Sequence, residues 1–248
     1  MVGVAASEVS FMRRRAGLGF EAAPRSYGKR PCKVQRFAAM LAVAVVALIA
    51  QPTAEAAGRP IRIVALGDSL TAGFQLPASA AFPARLERAL KAKGLAVEVV
   101  NAGVSGDTSA GGLGRLDWSV PDGTDAVILE LGANDMLRGI EPKLTRVALE
   151  KIIGRLRARG IEVLLCGMLA PPNLGRDYAR VFDAIYPDLA ATNDLVFYPF
   201  FLEGIVTDPK LNQNDGLHPT AAGVATIVAR ILPKVEDLLA RVRAKPAS

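Results

Sequence analysis

Histidine occurs once in these 248 residues, cysteine twice and tryptophan once. With Cys32 in the N-terminal segment, a single cysteine and a single histidine are left to the rest of the chain, too few for a cysteine-based metal site, which needs three or four ligands. A disulfide framework is excluded as well, because Cys32 lies in a basic N-terminal segment and Cys166 sits inside the apolar run "VLLCGML", where it reads as a buried structural thiol. The apolar run from Phe37 to Ala50 is about 14 residues, short of the roughly 20 that a membrane-spanning helix requires. Three glycine motifs are also missing. Without G-x-x-x-x-G-K-[ST], or G-x-G-x-x-G after the first strand, the sequence argues against nucleotide binding. Without G-x-S-x-G there is no nucleophile elbow of the α/β-hydrolase kind.

What is present is 51% hydrophobic and 22% charged, the composition of a globular chain. The first 56 residues stand apart. They are basic up to Arg36, apolar to Ala50, then small and polar through "QPTAEAAG", the layout of a secretory signal with Ala54-x-Ala56 as its cleavage site. The expected organisation is therefore an N-terminal extension with signal peptide at 1–56 and one domain at 57–248, exported to the periplasm or secreted, with no stable membrane anchor. Eight of the 30 basic residues and three of the 24 acidic ones lie in that extension. The remaining 22 and 21 leave a net charge of +1, against +6 for the whole chain, which argues against a nucleic-acid partner.

From Ala57 onward, short apolar runs alternate with longer helical patterns, which predicts an α/β domain of three layers, a five-stranded parallel sheet between helices. The expected strands are Ile61–Leu66, Val97–Asn101, Ala126–Leu131, Val163–Leu169 and Leu195–Tyr198. The expected helices are about Phe82–Lys93, Thr108–Trp118, Pro142–Arg159, Tyr178–Leu189 and Thr220–Arg243. The loops after the strands, "GDSLTAG", "AGVSGDTSAGG" and "GANDM", are glycine-rich and polar, and ligands bind at such carboxyl-end loops in open parallel sheets.

Those loops carry the chemistry. His218 lies in "NDGLHPTAAG", three residues after Asp215, a spacing at which a tight turn brings the carboxylate to the imidazole. Asp215 and Thr220 as caps of the last helix explain the same stretch structurally, but leave the histidine unexplained. Ser69 closes the first strand, as a nucleophile awaiting a base or as an ordinary N-cap. Gly106 can expose its backbone N–H, and the Asn134 amide offers two donors; both also suit plain turns. Asp68 reads as a residue that holds the turn through local hydrogen bonds.

Taken together, GDSL with Ser69, "NAGVSGDTS" with Gly106, GAND with Asn134 and DGLHP with His218 resemble the blocks of the SGNH (GDSL-type) hydrolases, in the same order. The likeness runs from about Arg62 to the C-terminal helix. "PASAAFPARL", "SGDTS" and "AIYPDLA" are most similar to the bacterial periplasmic acyl-CoA thioesterase, lysophospholipase and arylesterase group. The resemblance implies a flavodoxin-like fold and a serine-dependent hydrolase of esters and thioesters. Ser69, His218 and Asp215 would be its catalytic residues, and the Ser69 N–H, Gly106 N–H and Asn134 amide its oxyanion hole. It implies no metal or organic cofactor and a small-molecule acyl ester or thioester as partner; the oligomeric state is left open, with a monomer favoured. Phe74, Leu76, Trp118, Leu169, Phe200 and Phe201 could line an acyl groove, with residues 169–178 shaping it. Two alternatives are a carbohydrate acetylesterase of the same superfamily, with the same catalytic residues, and a non-catalytic flavodoxin-like binding module. The second leaves Asp-x-x-His unexplained.

Overall fold

A computed structural model describes residues 59–245; the expected signal, its cleavage site and Cys32 lie outside the described residues. Five strands, β1 (Ile61–Gly67), β2 (Val97–Gly103), β3 (Ala126–Glu130), β4 (Glu162–Cys166) and β5 (Val196–Tyr198), form one sheet in the order β2-β1-β3-β4-β5. Every pairing is parallel. The central strand β3, AVILE, is buried along its whole length, as a strand covered on both faces must be. The edge strand β2, VEVVNAG, opens with alternating buried and exposed residues.

The helices are α1 (Ser69–Ala72), α2 (Phe82–Ala92), α3 (Ser109–Gly114), α4 (Leu116–Ser119), α5 (Ala133–Leu137), α6 (Pro142–Ala158), α7 (Arg176–Asp183), α8 (Ile185–Thr192) and α9 (Ala221–Ala244). α2 packs with α9, and α3 with α6, so the sheet is the middle of three layers. The long helices begin where the sequence provides starts. Pro142 opens α6, and the Thr220 hydroxyl accepts the Gly223 N–H at 3.2 Å to cap α9. Pairing runs from β1 to β2 on one side and to β3 on the other, so the order in which strands are added reverses between β1 and β3, and their carboxyl ends frame a crevice.

All five expected strands form, with β4 shifted to end at Cys166. Two expected helices are broken. The stretch 108–118 divides at Arg115, whose buried guanidinium donates to Gly67 O (2.9 Å), Ala102 O (2.8 Å) and Ser119 Oγ (3.0 Å) and pairs with Asp107 (2.7 Å). The stretch 178–189 begins earlier, at Arg176, and divides at Ala184.

Candidate active site

β1 ends at Gly67, and α1 begins two residues later. Asp68 is the N-cap, its Oδ1 accepting the Leu70 N–H at 2.9 Å, which frees Ser69 from that role. Ser69 is the first residue of α1, so its N–H has no intrahelical acceptor. Its Oγ lies 2.9 Å from His218 Nε2, and His218 Nδ1 lies 2.6 Å from Asp215 Oδ2. Asp215 Oδ1 accepts the N–H groups of Leu217 (2.9 Å) and His218 (3.0 Å), so the carboxylate closes a turn behind the imidazole. The bond from the His218 N–H, followed by that from its ring and from Leu217, outweighs the opposing effect of burial and holds Asp215 down at about 2. Asp215 does not cap α9; Thr220 does.

The histidine loop is fastened to the serine loop. Gln213 Nε2 donates to Phe74 O and Pro219 O, both at 2.9 Å, and the Gln213 N–H donates to His218 O at 2.7 Å. The Phe74 ring stands 4.5 Å from the imidazole. Sequence reasoning missed Gln213; nothing in "NQNDG" distinguishes it from its neighbours.

Asp68 does more than hold its turn. It is fully buried, and its Oδ2 accepts Asn134 Nδ2 at 3.0 Å. Beneath it lies Glu130, also fully buried, whose Oε2 accepts the Thr71 hydroxyl at 2.8 Å and the Asp68 N–H at 3.3 Å. Burial raises Asp68 to about 6 against its hydrogen bonds, and burial together with the Asp68 charge raises Glu130 well above the carboxylate range. Gly67 makes room for this cluster: a Cβ there would stand 2.6 Å from Glu130 Oε2 and closer still to the Thr71 hydroxyl. Asp135 fixes α5, the helix bearing Asn134, by accepting the Ser109 N–H (2.8 Å), the Ser109 hydroxyl (2.5 Å) and the Thr145 hydroxyl (3.0 Å).

Gly106 occupies the loop after β2 with a left-handed φ of 82°, and its N–H makes no hydrogen bond among the described residues. Its carbonyl accepts Arg138 Nη2 at 2.6 Å. Arg138 stands one helical turn after Asn134, a spacing visible in "NDMLR" but without significance until the two loops are seen side by side. Gly106 itself does not line the cleft described next.

A cleft of about 550 Å³ opens over Ser69, Asn134 and His218. Its walls are mostly aliphatic: Met136 and Leu137 after β3, Met168 to Pro172 after β4, and Leu202, Val206 and Leu217 after β5. Of the six expected groove residues, Leu169 and Phe200 line it. Phe74 lies against His218 instead, and Leu76 faces a separate depression beside Asp215. Phe201 is core, packed edge-on against Phe82, and Trp118 is 74% exposed on α4. Leu169, Ala170, Pro171 and Pro172 are the part of the 169–178 loop that reaches the cleft. Among the described residues no group of three histidine, cysteine, aspartate or glutamate side chains is arranged to hold a metal ion.

The family model described as "GDSL-like Lipase/Acylhydrolase family" matches residues 65–226. An arylesterase of Vibrio mimicus is 41% identical over 177 residues, which are 70% of this chain and 88% of that protein. A thioesterase 1/protease 1/lysophospholipase L1 of Escherichia coli is 43% identical over 158 residues, 63% of this chain and 74% of that one. Among solved structures, AlinE4, described as an SGNH-hydrolase family esterase, is 45% identical with a TM-score of 0.62, covering 77% of this chain and 99% of its own.

Proposed function

Since the chain belongs to the GDSL-like lipase/acylhydrolase family and is a carboxylic ester hydrolase of the SGNH type, we propose that Ser69 is its nucleophile, His218 its general base and Asp215 the group that orients the base. The observation carrying this reading is the continuous relay from Ser69 Oγ through the imidazole to Asp215, 2.9 and 2.6 Å long, at the mouth of an apolar cleft.

His218 Nε2 takes the hydroxyl proton as Ser69 Oγ attacks the acyl carbon. The Asp215 carboxylate stabilises the imidazolium that results. The oxyanion is received by the Ser69 N–H, the Gly106 N–H and the Asn134 amide, and the imidazolium proton passes to the departing alcohol or thiol. Water, deprotonated by the same imidazole, then attacks the acyl-enzyme; as the acyl–Oγ bond breaks, the imidazolium returns its proton to Ser69 Oγ, and the acid leaves.

The aliphatic walls favour an ester or thioester of a single acyl chain. The relatives' names, arylesterase and thioesterase/lysophospholipase, are consistent with that class. We also propose that residues 57–248 are the hydrolase domain and that residues 1–56 direct export. No helix among the described residues is long and apolar enough to cross a membrane.

Ser69→Ala and His218→Ala each lower kcat for a p-nitrophenyl ester by about 10³-fold or more, with the far-ultraviolet circular dichroism unchanged. Near wild-type turnover in either variant, with the protein folded, overturns the assignment.

A further inference from the structure

Glu130 is the last residue of β3, in register with Gly67, and none of its surface reaches solvent. Its Oε2 accepts two donors, whereas its buried Oε1 has no hydrogen-bond partner among the described residues. Its neighbour Asp68 is equally buried, and among the described residues no lysine or arginine side chain bonds either carboxyl. Two buried carboxylates side by side without a cation do not both ionise; one keeps a proton. The donors decide which one. Asp68 has the Leu70 N–H on one oxygen and Asn134 Nδ2 on the other, which favour its ionised form, while Glu130 has donors on one oxygen only.

We propose that Glu130 is a positioning residue for ester hydrolysis: as a neutral acid it donates from Oε1 to the Asp68 carboxylate, which in turn holds the Asn134 amide with one N–H bound and the other free for the oxyanion. An asparagine amide has two N–H bonds and two near-equivalent orientations, and a carboxylate neighbour selects the one with nitrogen inward. A carboxylic acid kept neutral by an apolar setting is an effective donor. The other titratable groups facing the pair are the Cys166 thiol from β4 and the Tyr186 phenol from α8, both pushed up by burial and uncharged, and His218, which favours the Asp68 carboxylate whenever the ring holds a second proton. Asp135 acts on Tyr186 from α5.

This inference rests on the reading of Asn134 as an oxyanion donor, and the test separates the two. In the full-length protein, kcat and KM for a p-nitrophenyl ester are measured across pH. The side-chain ¹⁵N–¹H signals of Asn134, identified by their loss in Asn134→Ala, are followed over the same range. Glu130→Leu removes the donor, so kcat falls about tenfold or more with KM within about twofold, and the midpoint at which the Asn134 signals respond to Asp68 moves up by about half a pH unit or more. Glu130→Gln still donates; it recovers most of the kcat lost in Glu130→Leu and leaves the midpoint near that of the wild type.

A midpoint that falls in either variant means that an ionised Glu130 was repelling Asp68, and overturns the inference. Equal kcat losses in both variants with an unmoved midpoint overturn it too, as the mark of packing alone. Should Glu130→Leu fail to fold, Glu130→Gln decides by itself: a midpoint near that of the wild type with most of the kcat kept supports the inference, and a midpoint that falls overturns it. An Asn134→Ala variant that loses kcat while Glu130 variants show no response overturns this inference and leaves the oxyanion reading standing. Wild-type kcat in Asn134→Ala overturns both.

Discussion

The Asp215 carboxyl owes its low pKa to donors within its own turn, with the backbone N–H of His218 foremost. Since its pKa falls from 3.8 to about 2 on folding, the native state binds that proton less readily than the unfolded chain does. The stability it contributes is therefore present above about pH 4 and is lost as the pH falls towards 2. Thermal melts of Asp215→Asn should show a shallower decline than wild type between pH 4 and 2. At neutral pH the same substitution lowers kcat by about 10⁴-fold, because an amide at that position selects the wrong imidazole tautomer. Ser69, Asp215 and His218 were legible in the sequence because each stands in a short local signal, and a histidine that occurs once has no competitor. Glu130 was not legible. At the end of "AVILE" a glutamate reads as the polar exit of a strand, and only the approach of Asp68 and Thr71 from another part of the chain shows it to be buried.

The elements around the site are short, and polar bonds fix them where hydrophobic area is small. Arg115 is the clearest case, since its guanidinium joins the carboxyl ends of β1 and β2 to the loop bearing Asp107 and Gly106. Arg115→Met leaves the mostly buried Asp107 without its cation, and urea denaturation should show a loss of about 3–5 kcal/mol. Gly67→Ala forces a methyl group against Thr71 and Glu130 at a cost of about 1–3 kcal/mol, and it lowers kcat as well because the displaced groups support Asp68. Strands and long helices were legible from their periodicity. The four-residue α1 and five-residue α5 were not, being hardly longer than one helical turn. The break at Arg115 escaped notice because its causes lie in two strands remote in sequence.

Across the whole molecule, the sheet order brings loops from β1, β3, β4 and β5 around one crevice, and the aliphatic walls come mainly from the last three. The parallel sheet could be read from the alternation of elements, but which aromatic residues reach the crevice could not, since Phe200 and Phe201 are neighbours with opposite fates. Leu217 is about half exposed at the mouth of the cleft, and Leu217→Ser should raise KM for an octanoyl ester several-fold while changing it little for an acetate. A protein beginning at Ala57 should match the full chain in kcat, as measured with the same ester. The separation of 149 positions between Ser69 and His218 also sets an order of events during synthesis. Ser69 and the Asn134 amide leave the ribosome first, and His218 follows only near the end. With His218 as the proposed base, a nascent chain released before residue 218 should be inert however well its sheet has formed, which makes the onset of hydrolysis a timer for completion of the polypeptide.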